Sequence, residues 1–207
     1  MNELVEAIRN PFSAARFAPD RMEFLFAPGQ SAAGLLERLR AADWRGEIVG
    51  PHGSGKSTLL ATLLAAARLA GQPCLAVTLR YGQRRLPCDF LGAARCMAAQ
   101  KDRVPAVPLL AVDGYEQLGR WHRFLLGRLC RRRLGLVVTS HHPVGLPALC
   151  HTAVDPALAW RVVERLQAGS PPLVDGADVA ERLAAHGGNL RETLFDLYDL
   201  FARRLAM

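Results

Sequence analysis

Apolar positions recur along this chain in two different ways, and the change between them divides it. From residue 31 to about residue 155, short apolar runs alternate with stretches of helical spacing. Leu35, Leu36 and Leu39 share one face of a helix over Ser31 to Ala42, with Ser31 placed to cap it. Glu47-Ile48-Val49 closes a short buried strand, and Leu59 to Ala70 reads as a helix that Gly71 ends. Cys74 to Leu79 is a second strand, Arg80 to Pro87 a polar loop, and Asp89 to Gln100 a helix. Ala106 to Val112 is a third strand ending at Asp113. A helix over Glu116 to Arg132 places Leu118, Trp121, Leu125 and Leu129 on an inner stripe. Leu134 to Val138 is a fourth strand ending in Thr139-Ser140, and Cys150 to Val154 a fifth, after a turn-rich passage with Pro143 and Pro147.

Beyond Asp155 only helical spacing remains. Leu158, Val162, Val163 and Leu166 line one face of Pro156 to Gln167, and Val179 and Leu183 line Asp178 to His186. Asn189 to Ala206 carries Leu190, Leu194, Leu197, Phe201 and Leu205. The first thirty residues have neither pattern. Pro11, Pro19, Pro28 and Gly29 break them up, and Phe12, Phe17, Phe24 and Phe26 need burial. The expected organisation is an N-terminal arm over 1–30 packed on a core over 31–155, with a helical piece over 156–207. Strands alternating with helices imply an α/β fold with a parallel sheet sandwiched by helices. Ligands in such sheets sit at the carboxyl ends of the strands.

Composition adds little to this but excludes several classes. Half of the 207 residues are hydrophobic, enough for a sizeable core. No apolar run reaches the ~18 residues of a membrane span, and Met1 to Glu6 lacks the design of a secretory signal. The five cysteines are scattered with no C-x-x-C pair, which suits reduced thiols and a cytoplasmic protein. The net charge of +7 is nearly all arginine, since Lys56 and Lys101 are the only lysines. The densest cluster, Arg128 with Arg131-Arg132-Arg133, either closes a helix or contacts nucleic acid.

The chemistry is concentrated at the strand ends. Gly50-Pro51-His52-Gly53-Ser54-Gly55-Lys56-Ser57-Thr58 fits G-x-x-x-x-G-K-[ST] between a strand and a helix. Its glycines let backbone N–H groups wrap an anion, Lys56 supplies a cation, and the Ser57 hydroxyl is placed to ligate Mg²⁺. Asp113, ending an apolar strand, is the acid expected to hold the same ion. Glu116 either polarises an attacking water or caps the following helix. Thr139 or Ser140 either reads a γ-phosphate or makes a turn. In Gly187-Gly188-Asn189-Leu190-Arg191-Glu192, Asn189 and Glu192 suit a helix start. Arg191 does not, because a cation in the first turn opposes the dipole, and so it points to an anionic partner.

Together these residues make the chain resemble an AAA+ ATPase. The Walker A motif is Gly50 to Ser57 and the Walker B strand is Leu109 to Asp113. Sensor 1 resembles Thr139 or Ser140, and sensor 2 resembles Arg191. Asn10-Pro11-Phe12 is similar to the start of the bacterial AAA ATPases related to secretion component A and the transposition helpers. There it lies near the adenine. The resemblance implies ATP and Mg²⁺ as ligands, Lys56, Asp113, Glu116, Thr139 and Arg191 as working residues, a lid over 156–207 and a protein partner. Two departures stand out: Gly114 follows Asp113 where such ATPases carry an acid, and Ser140 to Cys150 has no Arg or Lys to serve as a finger. The first implies slow hydrolysis, which an acid at 114 would be expected to speed, and the second argues against an ordinary ring. The alternatives are a small-molecule kinase with Arg80, Arg84 and Arg85 in its lid, or a non-hydrolysing scaffold on nucleic acid. A transporter ATPase is disfavoured because no Leu-Ser-Gly-Gly precedes Asp113.

Overall fold

The computed structural model describes residues 10–19, 21–100, 106–131 and 134–207. Met1 to Glu6, Lys101, Arg132 and Arg133, singled out above, lie outside the described residues. The chain forms two compact units. The first comprises the described residues up to Leu25, Pro51–Thr58 and Thr152–Met207, and the second comprises Phe26–Gly50 and Leu59–His151.

The second unit holds a five-stranded sheet in the order β2-β3-β4-β1-β5, with every neighbouring pair parallel. The strands are β1 (Arg45–Val49), β2 (Cys74–Thr78), β3 (Leu109–Asp113), β4 (Gly135–Ser140) and β5 (Ala148–His151). β4 thus lies between β1 and β3. All six residues of β4 and the first four of β3 are buried, so both faces of the centre are covered; the edge strands β2 and β5 are only partly so. That is the burial a parallel sheet requires, and it explains the unbroken apolar runs. The helices of this unit include α1 (Ala32–Ala41), α3 (Cys88–Gln100) and α4 (Arg120–Cys130); α2 is Lys56–Leu69. Ser31 caps α1, its Oγ accepting from the Gly34 N–H at 3.1 Å. Phe90, Ala94, Leu110, Leu126 and Leu136 belong to the main core of the unit. Each full burial of a Leu or Phe contributes about 1.5–3 kcal/mol.

Two expectations shift here. The last strand is Ala148–His151, set where the β1 register places it, rather than Cys150 to Val154. Trp121 is 65% exposed and does not belong to an inner stripe. The chain first makes a 3₁₀ turn over Tyr115–Gln117, passes through an extended Leu118, and starts α4 only at Arg120. A helical count begun at Leu118 therefore selects the wrong face. The buried positions of α4 are Leu126 and Cys130. Burial pushes the Cys130 thiol up to about 12, so it is an inert core residue.

The first unit is helical: α5 (Pro156–Gln167), α6 (Gly176–Ala185) and α7 (Leu190–Leu205). Each helix has a side-chain cap, from Asp155, Asp175 and Asn189 respectively. Phe12 is fully buried among them, edge-on to Phe201 with ring centroids 5.9 Å apart. Asn10 fixes that entry: its Nδ2 donates to Tyr198 O at 2.9 Å and its Oδ1 accepts from the Phe12 N–H at 3.0 Å. Leu205, expected inward, is 46% exposed in the last turn. Among the described residues no helix is long and apolar enough to cross a membrane.

Asp178 ties this unit together. It completes the α6 capping box and pairs with both guanidinium nitrogens of Arg204 and with Arg182. Burial alone would raise its carboxyl, but the hydrogen bonds from Arg204 and the Asp175 N–H, with the charges of Arg204 and Arg182, outweigh it and leave the group below its ordinary value. A depressed carboxyl stabilises the fold above the unfolded value near ~3.9, and that contribution is lost as pH falls through the folded value. Asp178→Ala should therefore cost about 1–2 kcal/mol in thermal or urea unfolding at neutral pH, with the deficit shrinking in acid.

Candidate functional site

The register of the sheet brings Thr78, Asp113, Thr139 and Val49 to one edge, with Gly50 continuing from it. Along this edge the side chains are bonded to one another. The Thr139 hydroxyl, buried with its residue, donates to Asp113 Oδ1 at 2.5 Å and accepts from the Gly114 N–H at 2.9 Å. Its single proton is therefore committed to holding the aspartate. The Ser140 hydroxyl donates to His142 O at 2.7 Å. Both hydroxyls thus have partners within the edge.

Glu116 lies in the 3₁₀ turn and outside α4, so it is not the cap of that helix. One of its oxygens, Oε1, is 3.1 Å from His141 Nε2; the other, Oε2, is buried and has no hydrogen-bond partner among the described residues. The other ring nitrogen of His141 is 3.3 Å from Gly50 O. A carbonyl and a carboxylate both only accept, so the two contacts are hydrogen bonds when both ring nitrogens carry protons. His141 joins the first residue of the glycine-rich loop to the acid after β3. It was not among the residues singled out from the sequence; its place directly after a strand that ends in hydroxyls was the available signal.

Gly114 explains its own identity. Its φ is +79° and a Cβ there would stand 3.1 Å from Leu79 O. An acid at 114 would have to adopt this left-handed backbone and push Leu79 O back slightly, so the Gly114→Glu substitution expected to speed hydrolysis carries a backbone strain.

In the helical unit, the loop 51–58 is bonded internally. Ser54 Oγ donates to Pro51 O at 2.8 Å and lies 2.6 Å from Thr152 Oγ1. Lys56, 9% exposed, donates from Nζ to Pro51 O at 2.7 Å. Gly53 has φ +68°, and a Cβ there would fall 1.8 Å from Asn189 Oδ1 and 3.1 Å from the Arg191 nitrogen. Only glycine fits, because the loop lies against the start of α7. Arg191, singled out for its awkward place in the first turn, is exposed at that same helix start. Four functional residues of the sequence reading, Gly53, Ser54, Lys56 and Arg191, thus belong to one unit, and Asp113, Glu116 and Thr139 to the other. Among the described residues no three His, Cys, Asp or Glu side chains gather as a metal cluster.

No family model matches the chain. The zinc import ATP-binding protein ZnuC of Jannaschia sp. (strain CCS1) is 38% identical over an alignment of 119 residues that covers 48% of this chain and 48% of that protein. The chain thus spans about half the length of the curated relative it matches. Among solved structures it superposes on the replication initiator DnaA bound to AMPPCP and single-stranded DNA with a TM-score of 0.53 at 14% identity, covering 86% of this chain and 63% of that one. A DNA replication initiation factor gives 0.54 at 13% identity over 88% and 66%. AMPPCP-bound DnaA from Aquifex aeolicus gives 0.52 at 14% over 88% and 63%. The chain has a parallel-sheet α/β fold that matches the AAA+ P-loop NTPases. Within this AAA+ fold, β4 between β1 and β3 is what places Thr139 beside Asp113.

Proposed function

We propose that the protein binds ATP with Mg²⁺ and hydrolyses it slowly, as a nucleotide-dependent switch in the cytoplasm. The observation that carries this reading is the Gly53 cradle: a loop of the phosphate-binding pattern, closed to any side chain, set against the start of a capped helix that bears an exposed arginine. Backbone N–H groups of Gly50 to Thr58 bind the phosphates, and Lys56 balances their charge. Ser57 and Asp113 would hold the Mg²⁺, which when bound neutralises charge on the phosphates. Thr139 keeps Asp113 in its rotamer. The unpaired Oε2 of Glu116 accepts a hydrogen bond from the attacking water, while His141 holds the other oxygen. Arg191 reports the γ-phosphate to the helices over 156–207. The kinship with the secretion and transposition helpers, and with it a protein partner, rests on Asn10-Pro11-Phe12.

The reading is tested at Arg191, because a sensor of the γ-phosphate discriminates ATP from ADP. A charge-assisted contact is worth about 1.5–3 kcal/mol, so Arg191→Ala should reduce the preference for ATP over ADP about tenfold or more. Calorimetric titration with both nucleotides measures this directly. Equal losses for the two would make the arginine structural and remove the sensing step.

A further inference from the structure

The sheet unit carries a second feature that the nucleotide reading does not use. From residue 117 to residue 154 the chain has no Asp or Glu, whereas it has Arg120, Arg123, Arg128, Arg131, Arg132 and Arg133. Composition bias toward arginine does not remove acids from one segment. On α4, Trp121, Phe124 and Arg128 follow one another at spacings of three and four, and Arg131 three further on continues the same face. All four are exposed. Trp121 and Phe124 are 65% and 59% exposed and stack with ring centroids 5.8 Å apart and planes 28° from parallel. The stripe runs about 15 Å from Trp121 to Arg131 at the helical rise.

The loop after β2 lies beside the start of α4. Arg80, Arg84 and Arg85 are exposed, and Tyr81 is 98% exposed. The loop is pinned to the start of α4: the Gly119 N–H donates to Arg84 O at 3.0 Å, and the Gly82 N–H to Gln117 Oε1 at 3.4 Å. None of Arg80, Arg84, Arg85, Arg128 and Arg131 makes an ion pair among the described residues, although Arg40, Arg165, Arg182 and Arg204 do.

We infer that this face, α4 with the 80–87 loop, binds single-stranded nucleic acid. The cations without carboxylates between them match a polyanion. The stacked, exposed rings match unpaired bases, whose faces are open to stacking, and not a duplex, whose base faces are already covered. An acidic peptide would satisfy the arginines but would give the ring stack no partner of its own shape. The inference does not depend on ATP binding.

The test is fluorescence anisotropy of a labelled mixed-sequence 20-nucleotide DNA with the full chain, without nucleotide, at several salt concentrations. Stacking on an aromatic side chain is lost on truncation to alanine, so the Trp121→Ala, Phe124→Ala double variant should bind about tenfold or more weakly. Arg128→Ala with Arg131→Ala should lower the slope of log affinity against log salt by about 1.4, or 0.7 per phosphate contact. These side chains are exposed, so melting temperatures should stay at the wild-type value. Tyr81→Ala, in the loop and outside the helix, gives a second reading that does not touch α4. The single strand should outcompete its own duplex, and polyglutamate or vesicles of anionic lipid should not displace it. An aromatic double variant that binds like wild type overturns the inference. So does a duplex that binds equally well, or displacement by polyglutamate or by the vesicles.

Discussion

Lys56→Ala should weaken ATP binding about ten- to hundredfold and leave the melting temperature of the ligand-free protein nearly unchanged. Lys56 is 9% exposed and its ammonium donates to Pro51 O within the loop. A charge-assisted contact to a phosphate is worth about 1.5–3 kcal/mol. At 1.4 kcal/mol per factor of ten, this gives the stated range. Titration calorimetry with ATP in Mg²⁺ measures it. Unchanged affinity would show that the glycine-rich loop does not bind phosphate, and with it the nucleotide reading fails.

The second large effect belongs to Glu116. If its unpaired oxygen orients the attacking water, Glu116→Gln should lower the steady-state rate of phosphate release about 10²–10⁴-fold, with ATP affinity retained. His141 acts through Glu116, so its signature differs. His141→Leu should lower kcat with little change in KM, and His141→Gln should recover part of the loss, since a Gln side-chain amide can still donate to the carboxylate. A merely structural histidine would lower stability and move kcat no more than KM. Should Glu116→Gln turn over like wild type, the water is oriented by another group, or by a partner, and the acid after β3 is an ordinary turn residue.

Much of this was readable from residue patterns, and the failures have local causes. The strands over β3 and β4 were evident because a sheet covered on both faces needs continuous apolar runs, which Leu109 to Val112 and Leu136 to Val138 supply. The glycine-rich loop was evident because its spacing is dictated by the anion it suits. The face of α4 was misread because a 3₁₀ turn and an extended residue precede the helix, and side-chain periodicity carries no sign of where a helix begins. Gly114 is legible in the sequence as a missing acid; its φ and its hydrogen bond to Thr139 add a backbone requirement that the sequence does not display. His141 escaped notice because its importance comes from two partners, Gly50 and Glu116, that lie 91 and 25 residues away and meet it only through the sheet. Thr139 illustrates the same limit: a strand-end hydroxyl advertises a role, but which atom takes its proton is a property of three dimensions.

The seating of Gly53 against Asn189 has a thermodynamic consequence. A ligand held by the loop is held by a unit whose own stability rests on the packing of α5, α6 and α7, with Phe12 at its centre. Whatever binds the ordered loop more tightly than the disordered one must raise the stability of those helices, by about 2.7 kcal/mol at a hundred times the dissociation constant. Reciprocity runs the other way too: anything that steadies the helices tightens the grip on the ligand. A protein docking on the outer surface of α7 could then tune nucleotide affinity without approaching the phosphates.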